Sequence, residues 1–176
     1  MKPLDSFIIQ FRGLKPGIHR YNLQIDKTFF NHFEQSEISE GDLTVHIDLE
    51  KEERMLLFQF DIDGNVTLPC DRCTDPVTIP IHGNERLIVK FGEAFQELDE
   101  EIQIIPESET SFDVSPFLYE YIHLLLPMKR VHEEDDKGSS SCNPDMLNKL
   151  NELLYSRTQD PRWEKLDKLR GTKDEG

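Results

Sequence analysis

Leu43-Thr44-Val45-His46-Ile47-Asp48-Leu49-Glu50, a polar break from Lys51 to Arg54, and then Leu56-Leu57-Phe58-Gln59-Phe60-Asp61-Ile62 decide how this chain folds. Apolar side chains recur at every second position in both runs, the period of a strand whose two faces meet different surroundings. Two such runs around a short polar break read as an antiparallel hairpin with one dry face and one wet face. Downstream, Asp63-Gly64-Asn65 predicts a second turn, because glycine and asparagine tolerate positive φ, and Val66 to Leu68 leads the chain into Cys70. Val77 to Ile81 and Arg86 to Phe91 read as two further strands. Upstream, Ser6 to Phe11 and Arg20 to Ile25 read as strands, with a short helix over Thr28 to Phe33.

The second part of the chain has a different pattern. From Glu93 to Asp113 there are eight acidic side chains and no lysine or arginine. That run reads as an exposed loop around a short strand, Ile102 to Ile105, and alternatively as a docking face for a basic partner. Ser115-Pro116 opens a helix, with serine as the cap and proline in the first turn. Val114, Phe117, Leu118, Tyr121, Ile122, Leu124 and Leu125 bury it, and Pro127 stops it. A polar loop follows from Met128 to Cys142, a stretch expected to be mobile unless something ties it down. Asn143-Pro144 and Asp160-Pro161 open two more helices, the first carrying Met146, Leu147, Leu150, Leu153 and Leu154, the second Trp163, Leu166 and Leu169. The expectation is an α+β protein: an antiparallel β-rich sheet or partial barrel over residues 1–128 with its buried helix. Residues 129–176 supply a metal-ligand loop and C-terminal helices packed on the same domain, held by a zinc staple.

The staple rests on three cysteines. Cys70-Asp71-Arg72-Cys73 offers two thiolates from one tight turn, and tetrahedral zinc then asks for two more ligands. His132 and Cys142 are the candidates. The spacing does not make a compact finger, because 58 residues separate Cys73 from His132 and nine separate His132 from Cys142. The bland reading therefore stays open, with His132 a surface imidazole and Cys142 an incidental thiol. Redox use of the pair fits poorly, since Asp71 and Asp75 oppose a thiolate and no helix N-terminus favours one.

Composition narrows the function. A formal net charge of -15 argues against general attraction to phosphate or to an anionic membrane surface. No apolar stretch is long enough to span a bilayer, the N-terminus lacks a signal-peptide core, and three cysteines do not make a disulfide framework. These point to a cytoplasmic protein in a reducing compartment. There is no nucleophile elbow, phosphate-binding glycine loop or HExxH motif. His19, His32, His46, His82 and His123 are scattered, and Trp163 and Tyr121 read as packing rather than as a platform for bases.

Phe7-Ile8-Ile9, Gly13-Leu14-Lys15-Pro16-Gly17, Phe29-Phe30, the hairpin, Gly64, Cys70-Asp71-Arg72-Cys73, Asp113 to Ser115, Leu126-Pro127-Met128 and Asp160-Pro161-Arg162-Trp163, in this order, resemble the YceD family of bacterial proteins. The resemblance implies a non-enzymatic factor needed for large-subunit ribosomal RNA to accumulate, and metal-binding and nucleic-acid-binding as the properties ascribed to such proteins. The family's CxRC falls on Cys70, Arg72 and Cys73. Relatives carry further cysteines in the loop after the Leu-Pro helix end, where this chain has His132 near the first position and Cys142 near the last. Acidity conflicts with simple RNA binding, so the expected mechanism is action through a basic ribosomal protein or a protein-RNA intermediate of the large subunit, with no membrane and no small-molecule substrate. Two alternatives remain. One is direct RNA binding through Lys129-Arg130 and Lys165, Lys168 and Arg170; the other is a thiol oxidoreductase using Cys70 and Cys73.

Overall fold

A computed structural model describes residues 4–99, 101–134 and 140–155. The chain divides into two compact units, residues 1–132 and 133–176. The helix expected after Asp160, with Trp163, Leu166 and Leu169, lies outside the described residues.

The first unit is built on the predicted hairpin. Strand β1 is Ile8–Gln10, β2 is Gly17–Asp26, β3 is Glu40–Lys51, β4 is Met55–Pro69 and β5 is Pro76–Gly92. Strands β6 (Gln96–Asp99), β7 (Ile102–Pro106) and β8 (Ser111–Asp113) follow. Six of them form one sheet in the order β2-β3-β4-β5-β7-β6, and β1 pairs with β8 apart from it. All neighbours in the large sheet are antiparallel except β5 and β7, which run parallel. The fold is α+β and strand-rich, as the sequence leads one to expect.

Alternation determines what is buried. Leu43, Val45, Ile47 and Leu49 of β3 and Leu56, Phe58, Phe60, Ile62, Val66 and Leu68 of β4 are all essentially inaccessible to solvent. Their intervening neighbours, His46, Gln59, Asp61 and Asp63 among them, are exposed. Each large apolar side chain fully buried this way is worth about 1.5–3 kcal/mol, so a one-residue slip of register would forfeit the whole set.

In six places the structure differs from the sequence reading. Asp63-Gly64-Asn65 is no turn: β4 runs straight through it, and β5 is likewise one strand where two were expected. Together they make one long hairpin, paired from Met55↔Lys90 to Pro69↔Pro76. Gly64 serves a close approach instead. Its φ is +144°, and a Cβ there would lie 2.1 Å from the Asp42 carbonyl oxygen and 2.8 Å from Leu43 Cα on β3. Gly83, across the hairpin, leaves room for the Leu125 side chain, which would meet a Cβ at 2.2 Å.

The acidic run, read as a loop around one strand, contains three strands: the expected one, β7, pairs with β5, while β6 pairs with β7 and β8 with β1. The early helix α1 is shorter than expected, Lys27–Phe30, with Asp26 capping the Thr28 amide at 2.8 Å. Helix α2 is Ser115–Leu124; Val114 holds the N-cap position, and the side chain that serves the helix start is Asp113, not Ser115. The Asp113 carboxylate accepts from the Ser115 amide at 2.9 Å and from its hydroxyl at 2.7 Å. Tyr121 rests on Phe60 with ring centroids 5.5 Å apart and Tyr119 stacks on Phe33 at 3.9 Å, while Leu124, expected inside, is exposed.

In the second unit, Glu134 and Ser140 bridge and the Ser141 hydroxyl donates to the Glu133 carbonyl at 2.8 Å. Asn143 then caps helix α3, Pro144–Tyr155, accepting from the Asp145 amide at 3.0 Å. This is the start that Asn143-Pro144 predicts. No helix among the described residues is long and apolar enough to cross a membrane.

The close approach at Gly64 has a measurable consequence. Gly64→Ala should lower unfolding free energy by about 2–4 kcal/mol, through an unfavourable backbone conformation together with a clash against β3 backbone that cannot give way. Urea denaturation monitored by circular dichroism measures it, and a loss near zero would mean that β3 does not lie against β4 at this position.

Candidate metal centre

The tip of the long hairpin carries the Cys70–Cys73 pair. Where β4 ends at Pro69, the Cys70 amide donates to the Asp75 carbonyl at 2.9 Å and the Thr74 amide to the Cys70 carbonyl at 2.9 Å. Thr74 takes φ +64° to close this turn. The turn aims both sulfurs inward, where Cys70 and Cys73 are 2% and 0% exposed. None of the three cysteines is in a disulfide.

The segment after α2 is tied to this tip by one residue. The Arg130 amide donates to Asp71 Oδ2 at 2.7 Å while the Asp71 amide donates back to the Arg130 carbonyl at 2.8 Å. Arg130's guanidinium adds ion pairs to Asp71 at 3.1 Å and to Glu37 at 2.8 Å. This lock was not legible in the sequence, where Arg130 reads as part of a phosphate-binding patch and Asp71 as a charge opposing the thiolates. Two residues further on, His132 is delivered to the cysteines. Its Nδ1 lies 3.5 Å from Cys73 Sγ, and its Nε2 donates to the Pro76 carbonyl at 3.0 Å.

The geometry suits tetrahedral zinc. Ligand atoms of Cys70, Cys73 and His132 all lie within 4.8 Å of one another. With Zn–S of about 2.3 Å and Zn–N of about 2.0–2.1 Å, the sulfur–nitrogen edge of a tetrahedron is about 3.6 Å, close to the observed Nδ1–Sγ separation. Donation from Nε2 to a backbone carbonyl fixes the tautomer that leaves the Nδ1 lone pair facing the sulfurs, the usual outer support of a metal-bound histidine. The Cys70 thiol is also prepared. Burial raises the Cys70 pKa, but the amides of Cys73, Arg72 and His132 and the Cys73 thiol outweigh it, bringing the value from 9.0 to about 6. His132 is raised above its ordinary 6.5, first by its hydrogen bond with the Cys70 sulfur. Cys142 belongs to the second unit, where its amide donates to the Ser140 hydroxyl at 3.2 Å.

Burial of both sulfurs limits their access to a disulfide substrate. Arg130 of the Lys129-Arg130 patch is itself paired with Asp71 and Glu37. Lys165, Lys168 and Arg170 lie outside the described residues.

Comparison with known proteins agrees with the resemblance read from the motifs. The family described as "Large ribosomal RNA subunit accumulation protein YceD" matches residues 58–170, more than half of the chain, and the chain belongs to this family. The chain is also 27% identical over 123 residues to "Uncharacterized protein YlbN" of Bacillus subtilis (strain 168), an alignment spanning 69% of this chain and 70% of the relative. No solved structure matches.

Protons and a metal compete for the same atoms, which sets the pH dependence. Zinc would need Cys70 as thiolate and His132 neutral, so affinity should fall as pH drops through about 6, where Cys70 gains its proton, and the raised His132, protonated from a higher pH than a free imidazole, adds to the loss. Titration against a chromophoric chelator over that range measures it; affinity that is constant down to about pH 5 would exclude these groups as ligands.

Proposed function

We propose that this chain is a non-enzymatic, cytoplasmic factor in large-subunit ribosome assembly, stabilised by zinc and acting through a basic ribosomal protein or a protein-RNA intermediate. Membership of a family described by large ribosomal RNA subunit accumulation carries this reading. The net charge of -15 favours a basic protein over naked RNA as the partner, since phosphate contacts need lysine or arginine in excess. Two buried thiols beside a half-buried imidazole suit a structural metal rather than catalysis, and closed structural zinc sites take four protein ligands. Cys142, the one cysteine outside the hairpin tip, is the proposed fourth. Zinc held by Cys70, Cys73, His132 and Cys142 would fasten residues 129–176 to the β-rich domain of residues 1–128, so that metal binding contributes folding energy.

Retention of ribosomal proteins from lysate tests the partner. A ribosomal protein held equally with and without nuclease supports action through protein, whereas complete loss on nuclease treatment points to direct RNA binding. Elemental analysis tests the metal, with about one zinc per chain expected and a marked loss in Cys142→Ala. The acidic run gives a further outcome. Glu93, Glu97 and Glu107 are exposed and contribute little to stability. Changing all three to Gln should leave the melting temperature nearly unchanged but slow association with the retained protein several-fold and flatten its salt dependence, read by stopped-flow mixing at two ionic strengths. An unchanged on-rate would place the docking surface elsewhere.

A further inference from the structure

The edges of the six-stranded sheet are not alike. An edge strand presents unpaired N–H and C=O groups that another strand can join, and proteins blunt such edges by shortness, bulges, prolines or cover. Edge strand β6 is only four residues long and its register breaks between Glu97 and Asp99. The first part of β5, which β7 joins only from Ile88 onward, carries Pro76 and Pro80, which lack amide hydrogens. The Pro76 carbonyl is moreover taken by His132.

Strand β2 has none of these devices. It is ten residues long, lacks proline, and pairs with β3 without a break from Gly17↔Lys51 to Asp26↔Asp42. Among the described residues, no backbone group of residues 18–25 bonds to anything other than β3. Its charge is also out of character for the chain. One cation, Arg20, and one anion, Asp26, balance within β2, while the whole chain stands at -15.

We propose that two copies of this chain join through β2, antiparallel about a two-fold axis, and continue the sheet from one copy into the other. A basic partner would gain nothing from so neutral a strand, whereas β2 complements itself. Pairing that keeps buried faces together opposes residues of the same parity. Centred on Leu23, it sets Tyr21 opposite Ile25, Asn22 opposite Gln24, and Arg20 opposite Asp26 on both sides of the axis. Two ion pairs close and no like charges meet. Arg20 is exposed and leans on Asp48 at 3.3 Å, and the Asp26 carboxylate, which caps α1 through Oδ1, keeps further lone pairs for a guanidinium.

Sedimentation velocity on the full chain, from low to high micromolar concentration, should show a monomer passing to a dimer of twice 20.6 kDa. Hydrogen exchange at the two ends of that range should show alternate amides between Arg20 and Asp26 slowed only in the dimer. Arg20→Asp replaces two attractive pairs by two repulsive ones and should weaken the dimer roughly tenfold, with circular dichroism confirming that the variant folds. A chain that stays monomeric throughout, a dimer whose β2 amides exchange as fast as the monomer's, or a folded Arg20→Asp variant that dimerises undiminished would each overturn the proposal.

Discussion

The β4–β5 ladder is the constraint on which the rest of the first unit depends. It runs from Met55↔Lys90 to Pro69↔Pro76, and because the buried residues of both strands sit at alternate positions, its register cannot drift without turning the core outward. Strand β3 docks on one side of this hairpin along its length and β7 on the other near its base. The register also fixes the other end. With Pro69 opposite Pro76, residues 70–75 must close as a tight turn, and Cys70 and Cys73 emerge from it side by side. The position of the two sulfurs is therefore a consequence of apolar packing many residues away.

His132 reaches that turn through a polar device. Asp71 and Arg130 exchange backbone and side-chain bonds, and the guanidinium is shared with Glu37, so the segment behind α2 is held at the hairpin tip before any metal is considered. The histidine ring is then oriented by Pro76, a residue of the same hairpin. Cys70, Cys73 and His132, placed by packing and hydrogen bonding, form a preorganised set that could hold a metal. Metal binding to such a set spends little on ordering those three groups, and most of its coupling to folding falls on whatever supplies the fourth ligand.

Period-two burial, the hairpin at Leu43 to Ile62 and the closeness of Cys70 to Cys73 were legible in the sequence because each depends on neighbours along the chain. What was not legible depends on contacts across it. Gly64 looks like a turn residue until β3 is seen pressed against it, and the strand continues because glycine admits that approach. Asp113 rather than Ser115 serves the start of α2, since that bond is decided by where the backbone enters the helix, which one residue type cannot reveal. The strands within the acidic run are stabilised by pairing, β7 with β5, β6 with β7 and β8 with β1, and not by their own pattern. The pairing of Arg130 with Asp71 was not legible because it spans 59 residues of sequence.

The same pairings bear on how an acidic protein can belong to a family described by ribosomal RNA accumulation. Arg20 is paired with Asp48, Arg86 with Glu101, and Arg130 with both Asp71 and Glu37, so several cations of the first unit already face carboxylates. Recruiting one of these to a phosphate would leave its carboxylate uncompensated beside a polyanion, a local like-charge cost added to the long-range repulsion of a chain at -15. A basic protein meets the opposite balance, as it can add to these carboxylates without breaking any pair. Electrostatics thus favours reading the link to ribosomal RNA as one made through protein, with the neutral β2 edge left for a contact of a different kind.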